Sequence, residues 1–139
     1  MRPGGRTAEC AASEARARLR QAESFVHVAD FSLGQSTTSE ELPLRGVAAA
    51  LAVLAGIAAA DAVCCARLGK RSRAQDHIQA VELLRTVHPR GEDLARDLDR
   101  LLKIKDNVHY GAIVISARDA AAAVDRARRM IETAKDVVD

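Results

Sequence analysis

At 139 residues the chain is long enough for one domain around a single core and too short for two. Its 28 alanines against three aromatic residues, within an ordinary 48% hydrophobic content, point to an all-α bundle packed through small side chains. A net charge of +2 from 21 basic and 19 acidic residues excludes an overall field for a polyanion, so any such site is local.

The opening residues 1–6 carry Pro3 and two glycines and read as a disordered terminus before one helical domain over residues 7–138. No apolar segment follows them, so no secretory signal is expected. Thr7 is a candidate N-cap for a first helix to about Phe31. Ala15, Leu19, Ala22, Val26 and Ala29 form its apolar stripe, and Glu14, Arg16, Arg18, Arg20 and Glu23 its outer face. His27 lies one residue off the stripe and reads as a partly exposed structural histidine.

Residues 32–45, rich in Ser and Thr and containing Pro43, read as a long loop. A second helix follows over residues 44–68, where Val47, Leu51, Leu54, Ala58, Asp61, Cys65 and Leu68 recur at steps of three and four. The uninterrupted apolar run, residues 47–60, is only 14 residues, so a buried helix is expected rather than a membrane span. Asp61 interrupts this seam. A carboxylate there must be paired or hydrogen-bonded, which makes it either half of an interhelical pair or the wall of a polar pocket. The three cysteines, an odd number, include the adjacent pair Cys64 and Cys65, whose spacing suits neither an ordinary disulfide nor a zinc site, and they read as reduced core residues of a cytoplasmic protein; no metal or cofactor is expected.

Gly69 closes the second helix, and Ser72 with Gln75 forms a capping box for a third over residues 73–88. Between them Arg67, Lys70, Arg71 and Arg73 crowd one helix N-terminus, either as a phosphate or RNA-backbone site or as a solvated turn. Ala74, Ile78, Val81, Leu84 and Val87 face inward, and His77 beside them is expected to meet a carboxylate such as Asp61. Pro89 and Gly91 break the chain before Glu92 and Asp93 open a fourth helix. It carries Leu98, Leu101, Leu102, Lys105 and Val108 on one stripe and stops near Gly111. At its end LLKIKDNVHYG gathers Lys105, Asp106, Asn107, His109 and Tyr110, either as a site or as a snorkelling lysine beside a core-edge tyrosine. Ser116 with Asp119 caps the last helix, which buries Ala120, Val124, Ala127, Ile131, Ala134 and Val138. Its Arg126, Arg128, Arg129 and Lys135 read as a solvated face, and no stretch alternates long enough for a strand.

The helix order, the segment AGIAAADAVCCARLGKRSRAQDHIQAVELL and the stretch LLKIKDNVHYG resemble the HEPN superfamily, in particular its small actinobacterial members. The resemblance implies an up-and-down bundle of about five helices and a dimer cleft carrying an Arg, four to six residues, then a His. In members that are ribonucleases these groups promote metal-independent attack of a ribose 2′-OH on the adjacent phosphate. Here Lys105 takes the Arg position, Asp106 the polar position and Tyr110 the His position; counting His109 instead leaves three residues from Lys105 and five from Lys103. Lysine lacks the fork that grips phosphate, and tyrosine shuttles protons poorly near neutrality. The expectation is therefore a homodimer binding RNA or a nucleotide with weak or no catalysis. The alternatives are an endoribonuclease of a toxin–antitoxin or defence system, with a cognate antitoxin as partner, and a structural adaptor. No membrane association is expected.

Overall fold

The computed structural model describes residues 7–35, 44–73, 77–109 and 115–139, with side chains up to Lys105 in the third stretch. The elements run β1 (Thr7–Glu9), α1 (Ala12–Gln35), α2 (Leu44–Leu68), β2 (Lys70–Ser72), α3 (His77–Arg85), α4 (Gly91–His109) and α5 (Ala117–Val138). The expected all-α bundle is what the chain forms, with five helices and one small two-stranded sheet among the described residues.

Alanine makes α2 the hub. Ala48, Ala49, Ala52, Ala55, Ala58, Ala59, Ala60 and Ala62 are essentially inaccessible, and α1, α5 and α4 all pack on this helix. Gly56 marks the tightest approach: a Cβ there would come within 2.5 Å of Leu101 Cδ1 and 3.4 Å of Met130 Sδ. The larger side chains that fill the space come from the neighbours, including Leu84, Leu94, Leu98, Leu101 and Met130. By length and composition α2 could cross a membrane, yet 72% of its apolar window is buried in the bundle, as in a core helix.

Ion pairs between helices fix the directions. Arg18 meets Asp61, Asp30 meets Arg128, and Glu23 meets Lys135. Along α4 and α5, Arg90 donates to Thr133 and Asp97 meets Arg126 and Arg129. Sequence number rises on one partner as it falls on the other, so α1 and α4 run against α2 and α5. The last helix's cations thus bridge to α1 and α4 instead of forming only a solvated face, and Arg126 is half-buried.

Several boundaries differ from the sequence expectation. Thr7 is not an N-cap: β1 pairs antiparallel with β2 through Thr7↔Ser72, Ala8↔Arg71 and Glu9↔Lys70, and α1 starts only at Ala12. Ser72 is likewise in β2 rather than at a helix N-cap, and α3 begins at His77. The expected loop is shortened because α1 continues to Gln35, with Ser32 buried; residues 36–43 lie outside the described residues. Ile78, expected inward, is 73% exposed, and Ala80 and Leu83 join Val81, Leu84 and Val87 in the core instead. Val47 and Leu54 sit on the outer side of α2. The caps read well where they are purely local: the Ser116 side chain accepts from Asp119 N–H, and Glu92 and Asp93 occupy the first turn of α4. Ala74, Gln75 and Gly111 lie outside the described residues, as does the side chain of Val108.

The cysteine reading is overturned. Cys10 and Cys65 form a disulfide across Cα atoms 5.5 Å apart, and only Cys64 is a free, buried thiol. Spacing misled because Cys10 reaches Cys65 through the β1–β2 pairing, 55 residues away in sequence, and its N–H also donates to Gly69 O at 3.0 Å. Gly69 makes that turn in the left-handed region, φ 69°. The ground for a reducing, cytoplasmic setting goes with the free thiols. Because the bond closes a long loop, Cys10→Ser should lower stability by up to about 4 kcal/mol, measured by urea unfolding without reductant. Reductant should do the same to the parent chain and nothing further to the variant.

Candidate functional site

Between the start of α1, the second half of α2 and β2, the chain forms an open pocket of about 350 Å³ lined by Glu14, Ala17, Arg18, Ile57, Asp61, Arg71 and Ser72. It exists because three elements of different kinds meet there. The strap of β1 holds β2 against the bundle, and β2 then carries Arg71 and the buried Ser72 over the outer side of α2.

Asp61 is the polar centre of this region. Its residue is 8% exposed, and Arg18 donates to its Oδ2 twice, from Nη2 at 2.7 Å and Nε at 3.2 Å. The remaining Arg18 nitrogen, Nη1, donates to Gln21. Burial raises the Asp61 carboxyl above its ordinary range, opposed first by the Arg18 hydrogen bonds and charge and then by the charges of Arg71 and His77. Below the pocket, burial and the Asp61 charge push the Cys64 thiol up to about 12, so it is an inert thiol rather than a nucleophile. Arg71 donates from Nη1 to Ser72 O at 3.2 Å.

Asp61 therefore joins an interhelical pair and lines a polar pocket at once, with Arg18 rather than His77 as its direct partner. His77 is half-buried and near enough to act on Asp61 through its charge. Arg67, Lys70 and Arg73 stand exposed along the same turn, and Arg71 is half-buried. Lys105 is half-buried on α4, while Lys103 pairs with Asp99. The side chains of Asp106, Asn107 and His109, and Tyr110 altogether, lie outside the described residues. No group of His, Cys, Asp and Glu suited to a metal occurs among the described residues.

Among the described residues, Lys105 and the basic segment stand apart. Because α4 runs against α2 and Leu101 packs at Gly56, Lys105 lies beside the first half of α2. The Arg67, Lys70, Arg71 and Arg73 segment lies at the end where α2 finishes, roughly 20 Å away along the helix axis. What sequence reasoning missed is Arg18, assigned to the solvent face. Its spacing of three from Ala15 and four from Ala22, both buried, is the signal that it borders the core.

Compared with known proteins, the chain matches no family model, and no curated protein or solved structure resembles it significantly. The functional reading therefore rests on these residues.

Removing the Arg18 guanidinium leaves a carboxylate in a buried setting. Arg18→Ala should cost about 1–3 kcal/mol at neutral pH, less than the loss of a fully enclosed pair because the Arg18 side chain is 28% exposed. The pH dependence has a definite sign. Asp61 binds its proton more tightly in the folded chain, so its contribution is fully present below 3.8 and is lost as pH rises through the raised native value. Arg18→Ala should move that value higher still. Urea unfolding from pH 3 to 7, with carboxyl NMR titration of Asp61, checks both; a variant as stable as the parent at pH 7 contradicts them.

Proposed function

We propose that this chain is a non-catalytic helical-bundle module that binds a phosphate-bearing ligand, RNA or a nucleotide, at the end of the bundle strapped by β1. The observation that supports the reading most is the concentration of Arg67, Lys70, Arg71 and Arg73 on one turn and strand. Many other cations of the bundle are spent on carboxylates, as in Arg18–Asp61, Arg126–Asp97 and Arg128–Asp30. Arg67 and Lys70 make no ion pair among the described residues. A local cluster of this kind, on a chain of nearly balanced charge, attracts a phosphodiester without a global field.

The HEPN resemblance belongs to this proposal as its scaffold: a helical bundle that handles RNA or nucleotides, working as a homodimer. The dimer also fits an alanine-rich core, which buries little area per residue and gains from a second subunit. In this reading the Lys105, Asp106, His109 and Tyr110 set is a degenerate catalytic motif.

Fluorescence anisotropy with a labelled single-stranded RNA, read at several salt concentrations, tests the proposal. Binding should weaken as salt rises, with a log–log slope of roughly −0.7 per phosphate contacted. Arg67→Ala with Lys70→Ala should weaken it about tenfold or more and flatten that slope. Unchanged affinity removes the reading. RNA cleavage that disappears in His109→Ala would instead establish the endoribonuclease alternative at the end of α4. Light scattering on the same 14.9 kDa chain reads the dimer separately.

A further inference from the structure

The pocket beside the basic turn has a donor and acceptor pattern of its own. Both hydrogen bonds from Arg18 end on Asp61 Oδ2, and Oδ1 has no partner among the described residues. No buried side-chain oxygen or nitrogen there lacks a partner. Oδ1 is therefore not sealed from solvent; it belongs to a side chain that is 11% exposed and lines the pocket. Ile57 and Ala17 supply apolar wall, and Arg71 stands at the side that continues into Lys70.

We propose that this pocket binds the base of a nucleotide carrying an exocyclic amino group, its phosphate lying on Arg71 and Lys70. The inference rests on the phosphate-binding reading and adds base selectivity to it. One free carboxylate oxygen accepts a single amino N–H, the contact that acidic side chains make with cytosine N4. Uracil presents a carbonyl oxygen at the same position, and two acceptors facing each other repel. A planar base against Ile57 and Ala17 exchanges water for apolar contact. The volume of about 350 Å³ lies at the lower end of the range usual for small-molecule sites.

The test compares CMP with UMP, which differ at that edge of the base, by calorimetry and by NMR of the Ala17 and Ile57 methyl groups. CMP should bind about tenfold more tightly than UMP and shift both methyl signals. Ala17→Phe, a change at an exposed position of α1, should fill the pocket and abolish the preference while RNA anisotropy keeps its salt dependence. Equal affinity for the two nucleotides overturns the pocket assignment, as does a CMP preference that survives Ala17→Phe. RNA binding without mononucleotide binding also overturns it and leaves the phosphate reading standing. Failure of both RNA and CMP to bind removes the two together.

Discussion

Close approach of helices to the alanine-lined surface of α2 is the constraint from which the rest of this structure follows. With a glycine at position 56 and alanines around it, α2 offers almost no side-chain relief, so Leu98, Leu101 and Met130 reach its backbone directly. Dispersion contacts are dense in such packing, but the apolar area removed from water per residue is small. A bundle built this way draws on other sources of stability. Here they are ion pairs that cross between helices and a disulfide that ties the N-terminal strap to the end of α2.

The same packing sets where charge can go. A helix surrounded on most sides by neighbours has one narrow outer face, and Asp61 falls on its margin, shielded enough to be desolvated and open enough to meet Arg18 and a pocket. The burial of the carboxylate is opposed from three different elements: by Arg18 on α1, by Arg71 on β2 and, electrostatically, by His77 on α3. Position 61 is thus a junction at which the one buried acid among the described residues is also the group on which β2 and the start of α3 act electrostatically. Structural and binding roles are not exclusive there, because one oxygen is committed to the ion pair and the other is not.

Antiparallel helices separate the ends of the molecule. Lys105 near the C-terminus of α4 and the basic residues near the C-terminus of α2 are held apart along the bundle. An all-α bundle does not imply an activity. At the α2 end β1 and the disulfide give a fixed backbone on which Arg71 and Ser72 are held, the condition for a pocket with a constant shape.

Local signals in the chain were sufficient for everything that depends on a few neighbouring residues. The 44–68 helix, the Ser116 cap, the acidic first turn of α4 and the all-α architecture are legible from spacing, because helical period and capping are short-range effects. Asp61 was legible as an anomaly in an apolar seam, and His77 as a neighbour to it. The strap, the disulfide and the choice of Arg18 as partner came only with the tertiary structure. Each depends on residues about 40 to 65 positions apart being brought together, and a three-residue strand has too little pattern of its own to announce its mate. For the same reason Ile78 and Leu54 match the apolar period and still face outward. Periodicity shows that a helix has a face, whereas the number of neighbours around it decides how much of that face is covered.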